Sequence, residues 1–241
     1  MSCGFFCYWI FVNSFSHAFR FLDNRNPYFA IGCAIPDWLG AVDRRCRVRK
    51  KGATPKLNDP DPLVANLAAG IIQHIEDDRW FHGSRAFSEL NLVFAVELRE
   101  LLKDEPGFRP MFLGHIIIEL LLDGYLHQSF PGKLDLFYEM VEKSDPAAIE
   151  AAVCSMATKP TDKLSQYFPI FLRERYLFDY VDDDRLIYRI NHVLRRVKLS
   201  AVGDELSQWV PLCRSRVYER ALELLEPLEL ENTGLQKNPV E

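Results

Sequence analysis

The sequence predicts an all-α fold: a single helical domain of about eight to ten helices. Three observations carry this. Long segments place apolar residues at three- and four-residue spacing. The breaks between them are Pro-, Gly- and Asp-rich clusters. No run alternates apolar and polar residues in the manner of a half-buried strand. The 241 residues are 48% hydrophobic and 26% charged, enough to bury one large core. No Gly/Ser-rich linker divides the chain. Residues 1–12 read as an apolar N-terminal extension, 13–229 as the domain and 230–241 as a flexible tail.

Taken in order, Asn13 to Leu22 is a short aromatic helix carrying His17. Asn24 to Pro27 is a turn, and Tyr28 to Val42 is apolar, with Pro36 placing Asp37 at a helix break or start. Arg44 to Lys51 is the most basic run, and Gly52 to Asp61 is loop. Pro62 suits the first turn of a helix capped by Asp61. That helix continues through Gly70 to Phe87, with Leu67, Ile71, Ile72 and Ile75 as its apolar stripe. Ala86 to Lys103 is a structural helix, Asp104 to Pro110 a break, and Met111 opens the next helix. Beyond Pro131 four helices follow: Asp145 to about Thr158, Thr161 toward Tyr180, Asp182 to Arg196, and Asp204 to Leu225.

Two of these helices combine apolar residues with His and carboxylates. The first carries His74, Asp77, Asp78 and His82; the second carries His115, Glu119, Asp123 and His127 at four-residue steps. His74 and Asp78 lie one turn apart, roughly 5–6 Å between Cβ atoms, which suits two ligands of one ion. His82 is about 12 Å along the axis from His74, so it reads as a substrate contact or part of a second site. Steps of four drift about 40° each, so the second set forms a slanting stripe rather than one cluster. Glu119 and Asp123 sit among Ile and Leu, and a buried carboxylate there requires a cation or a strong donor. Neither a Gly-rich phosphate loop, a nucleophile elbow nor a zinc CxxC pattern is present.

The net charge of −5 argues against nucleic acid as a main partner. Six scattered cysteines read as reduced thiols of a cytoplasmic protein, and no apolar run is long enough for a membrane span.

Together the segments resemble the acyl carrier protein phosphodiesterase family, a helical branch of HD-type metal phosphohydrolases. Residues 13–17, NSFSH, resemble the family's NFLAH; GCAIPD at 32–37 resembles G-N-L-x-x-D. GIIQHIEDD at 70–78 is similar to G-I-x-x-H-x-x-I-D, and ELLLDGYL at 119–126 to D-x-x-x-D-H-F-L. The resemblance spans residues 13 to about 130 and departs in two places. Gly124 stands where the family has a histidine, and Asp77 beside Asp78 leaves the carboxylate register open by one residue. The resemblance implies an HD-like architecture and metal-dependent cleavage of a phosphodiester, the phosphopantetheine arm of an acyl carrier protein. A divalent ion, with Mn²⁺ preferred over Fe²⁺, Mg²⁺ or Zn²⁺, activates the water. The implied shell is His17, Asp37, His74, Asp78 and Asp123, with His82 or His115 as proton donor or phosphate contact, and His115 or His127 as substitutes for the missing imidazole. On this reading Arg44 to Lys51 is a docking surface for an acidic acyl carrier protein or another phosphodiester substrate. Two other readings remain: a helical metal hydrolase of a nucleotide or phospholipid head group, and a non-catalytic helical binding protein.

Overall fold

Prolines and short polar caps set most of the helix starts. The computed structural model describes residues 14–23, 26–103 and 109–225, so the extension and the tail expected at the termini lie outside the described residues. Twelve α-helices run in order among them: α1 (Ser14–Phe19), α2 (Pro27–Val42), α3 (Lys50–Ala53), α4 (Pro62–Gly83), α5 (Arg85–Leu101), α6 (Pro110–Ser129), α7 (Lys133–Glu142), α8 (Pro146–Met156), α9 (Leu164–Glu174), α10 (Asp183–Arg196), α11 (Val210–Glu219) and α12 (Ala221–Leu225). Three short 3₁₀ turns, one of them Tyr176–Val181, connect them. No strand occurs among the described residues, where Val48 and Ala157 form an isolated bridge. The fold is therefore all-α, as the periodicity predicts.

The caps are read directly from side chains. Asn26, Asp61 and Asp145 each accept from the second residue of the helix that follows, with a proline at its start. Asp182 accepts from Arg185 N–H at 2.9 Å and starts α10.

The twelve helices exceed the eight to ten expected: α3 and the 3₁₀ turn Thr54–Lys56 reach into the expected loop, α7 is an additional helix, and four boundaries differ. The helix through Gly70 does not reach Phe87; it stops at Gly83 because Ser84 turns extended and its hydroxyl accepts from Phe87 N–H at 3.2 Å, capping α5. Pro36 does not break α2, whose walls are buried on both sides of it. The chain from Thr161 to Tyr180 is interrupted at Arg175, which takes the left-handed conformation (φ 42°). Arg175 is held there by Asp135 at 2.7 Å and by lying 4.5 Å above the rings of Tyr138 and Phe178. Residues 204–225 form a 3₁₀ turn and two helices: Pro211, which has no N–H, stands in the first turn of α11, and Arg220 ends that helix before α12.

α6 occupies the centre. It packs on α1, α5, α10 and α11, which explains why its residues from Ile116 to Gly124 are all buried. No described helix is long and apolar enough to cross a membrane. A second cluster, Trp38 against Tyr167, Phe168 and Phe171, joins α2 to α9.

α2 and α4 make the closest crossing, through glycine. A Cβ on Gly70 would lie 2.1 Å from the Phe29 carbonyl oxygen, and one on Gly32 would lie 2.7 Å from that of Leu67. A Cβ on Gly114 would meet Asn91 Oδ1 at 2.7 Å, so α5 and α6 also cross closely. Because both obstacles at Gly70 and Gly32 are backbone, neither helix can yield cheaply. Gly70→Ala should cost about 2–3 kcal/mol in urea unfolding, whereas Gly83→Ala, with nothing within 4 Å of its Cβ, should stay within about 1 kcal/mol of wild type.

A candidate metal centre between the helices

The glycine crossing carries Asp37 of α2 and His74 of α4 into register. Asp37 lies five residues beyond Gly32, and His74 four beyond Gly70. His74 Nδ1 is 2.8 Å from the Cys33 carbonyl oxygen. A carbonyl only accepts, so Nδ1 carries the proton and Nε2 presents a lone pair. That lone pair faces Asp37 Oδ1 at 3.9 Å. From α1, His17 stacks obliquely on His74 with ring centroids 4.0 Å apart. One ligand atom from each of His17, Asp37 and His74 falls within 4.8 Å of the others. His17 Nε2 and Asp37 Oδ2 are buried without a hydrogen-bond partner. Asp78 adds a fourth donor, its Oδ1 4.0 Å from His17 Nε2.

The register question between Asp77 and Asp78 has a geometric answer. Asp77 points away from this group, taking an ion pair from Arg20 and a 2.8 Å hydrogen bond from Gln73. Its other oxygen stands 3.9 Å from His17 Nδ1, behind the ring. Asp77 is thus a support for His17, and Asp78 is the carboxylate that faces the centre.

A second group lies beside the first. His82, in the last turn of α4, and His115 and Glu119, on α6, bring their ligand atoms within 4.8 Å of one another. Asp78 Oδ1 is 3.6 Å from His82 Nδ1, so this carboxylate stands between the two groups. The first group is the deeper. Side chains of His82 (32% exposed), His115 (34%) and Asp78 (41%) form the side open to solvent.

Asp123 belongs to neither group of converging ligand atoms. Its carboxylate accepts from Phe15 N–H at 3.2 Å and Ser16 N–H at 2.8 Å. It therefore caps the six-residue helix that carries His17, serving the centre by position. Gly124 has a structural reason: its Cβ would lie 2.9 Å from the Tyr180 carbonyl oxygen, so no imidazole fits there without moving the 3₁₀ turn. His127 packs edge-on against Phe178, apart from both groups.

The electrostatics follow from burial. Burial, then the neighbouring His17, hold His74 well below the ordinary imidazole range. Burial, then Glu119, Asp78 and Asp123, raise Asp37 well above the usual carboxylate range. Burial opposes ionisation of Glu119, but hydrogen bonds with His115 and His82 outweigh it and bring the carboxyl down to about 2. Burial pushes Asp123 up to about 8 against its bonds from Ser16 and Phe15. The need of both α6 carboxylates for strong partners is met differently: imidazoles for Glu119, main-chain N–H groups for Asp123.

The shell expected from the sequence is His17, Asp37, His74, Asp78 and Asp123; of these Asp123 lies apart, and the set omits Glu119, Cys33 and Arg20. The four-residue spacing of His115 and Glu119 was the available signal for the first of these. Nothing local marks the other two, which act across helices. Asp123→Ala should leave two buried N–H groups unsatisfied and lower stability by about 2–3 kcal/mol in chemical denaturation. Asp123→Asn, which keeps one acceptor, should lose less.

The chain matches no family model, no curated protein and no solved structure.

Proposed function

We propose that this chain is a metal-dependent phosphodiester hydrolase whose ion is held by His17, Asp37, His74 and Asp78. The observation that carries the reading is the confrontation of His74 Nε2 with Asp37 Oδ1. The two atoms face each other at 3.9 Å in a buried place, too far apart for a hydrogen bond even with Asp37 protonated, while His17 Nε2 and Asp37 Oδ2 lack partners. Buried acceptors left in this way are costly, and a cation relieves all of them at once. The donor set of two imidazoles and two carboxylates fits Mn²⁺, Fe²⁺ or Zn²⁺, and Mn²⁺ is the preferred ion.

An ion held there supplies Lewis acidity toward a phosphoryl oxygen and allows a water to ionise near neutral pH. The protein's own contribution is to fix the ligands. Cys33 sets the His74 tautomer, Asp77 and Arg20 stand behind His17, and Asp123 pins the start of α1.

The segment resemblance supports a carrier-protein substrate in an HD-like scaffold. A basic groove also supports an acidic partner. Arg44, Arg47 and Arg49 line it together with Pro36, Leu39 and Gly40 of α2. Arg45 is paired with Asp43 and Lys50 with Glu76, but Arg44, Arg49 and Lys51 have no carboxylate partner among the described residues. Pro36 adjoins Asp37, so an acidic protein bound along the groove lies one helix face away from the centre. A second reading, hydrolysis of a nucleotide or phospholipid head-group diester, is favoured by Gly124: the family histidine has no room here.

The test is a panel of phosphodiesters, including holo-acyl carrier protein, bis(p-nitrophenyl) phosphate, cyclic nucleotides and glycerophosphodiesters. Protein stripped with chelator should be inactive and recover with Mn²⁺. His74→Ala and Asp37→Ala should each lower kcat/KM by more than about 100-fold, beyond the loss typical of an outer-shell partner. Metal-loaded protein that cleaves none of these esters would remove the reading.

A further inference from the structure

His82 and His115 arrive from different helices at one point. Their Nε2 atoms are 3.1 Å apart, and Glu119 Oε1 is 2.7 Å from that of His115 and 3.4 Å from that of His82. Hydrogen bonds from the imidazoles serve Glu119, but they leave the edge between His82 and His115 poorly served. If both rings carry a proton on Nε2, the two N–H groups confront each other at 3.1 Å. If only one does, its proton satisfies one edge and leaves two lone pairs facing across another. Ligand atoms about 2.0–2.1 Å from a transition-metal ion are separated from each other by roughly 3.0–3.4 Å. The three observed separations bracket that range, so an ion at the centre would satisfy every edge with little movement.

The surroundings hold the rings in this pose. Phe87 stands edge-on to both, with centroids 5.0 Å from His82 and 5.1 Å from His115. It is placed there by the Ser84 turn that ends α4. Gly114, next to His115, lets α6 approach α5 closely enough for Phe87 to reach.

We propose that His82, His115 and Glu119 hold a second divalent transition-metal ion beside the first centre. Two imidazoles and one carboxylate select an ion of the Zn²⁺ or Mn²⁺ kind over Ca²⁺ or Mg²⁺, which prefer oxygen ligands. Asp78 lies between the two sites, its Oδ1 4.0 Å from His17 Nε2 and 3.6 Å from His82 Nδ1. The substrate consequence rests on the hydrolase reading: a pair of ions supplies charge stabilisation to both the attacking and the leaving oxygen of a phosphoester. The binding itself does not rest on activity.

The experiment is metal stoichiometry on the full chain. Chelator-stripped protein is equilibrated with Mn²⁺, and separately with Zn²⁺, then assayed for bound metal; the Mn²⁺ form is also examined by electron paramagnetic resonance. Wild type should bind two ions per chain and show spin coupling between them. His115→Ala should bind one and lose the coupling. The His82→Gln/His115→Gln double variant should do the same with an unchanged circular dichroism spectrum, since both side chains are partly exposed and leave the core intact. A wild type that binds one ion, with that number unchanged in both variants, overturns the second site and leaves the first-centre reading standing. Loss of one ion in His115→Ala with none lost in His74→Ala supports the second site and removes the first. No binding of either metal overturns both.

Discussion

Two glycines facing each other across α2 and α4 are the constraint on which the site depends. With Gly32 and Gly70 in backbone contact, the Cys33 carbonyl comes within 2.8 Å of His74 Nδ1. That bond decides the tautomer, and the tautomer decides that a lone pair points at Asp37. A side chain at either glycine would have to push the helices apart and would break this relation before it touched any ligand. The same device recurs at Gly114, where a close crossing of α5 and α6 lets Phe87 brace two imidazoles. In both places the chemistry is arranged by an absence of side chain on the neighbouring turn.

The second organising feature is the distribution of buried carboxylates. Glu119 and Asp123 lie one turn apart in the fully buried middle of α6. Each is made tolerable by a different partner: imidazoles for one, the open N-terminus of a short helix for the other. Asp123 thereby couples α6 to α1, and through α1 to His17. A six-residue helix has little stability of its own, so this capping is what gives His17 a fixed place. Asp37 differs from both, having a buried oxygen with no donor at all.

The centre is graded from inside to outside. His74 and His17 are nearly enclosed, whereas Asp78, His82 and His115 reach the surface. The group around Glu119 is the outer of the two, and the basic groove lies along the adjoining part of α2, at Pro36, Leu39 and Gly40.

The sequence by itself determined the helical class, most helix starts and the placing of His115 and Glu119 one turn apart on one helix. These are local properties: periodicity, a proline after a capping residue, and a four-residue spacing on one helix. It also brought His17 and Asp37 into the same site as His74, through the segment resemblance. The choice of Asp78 over Asp77, the capping role of Asp123, the partnership of Glu119 with two histidines and the exclusion of a side chain at Gly124 were decided by tertiary structure alone. Each depends on what another helix places opposite: Arg20 beside Asp77, Phe15 and Ser16 N–H beside Asp123, the Tyr180 carbonyl beside Gly124. The spacing along one helix says which residues share a face, but only the crossing of two helices says what that face meets.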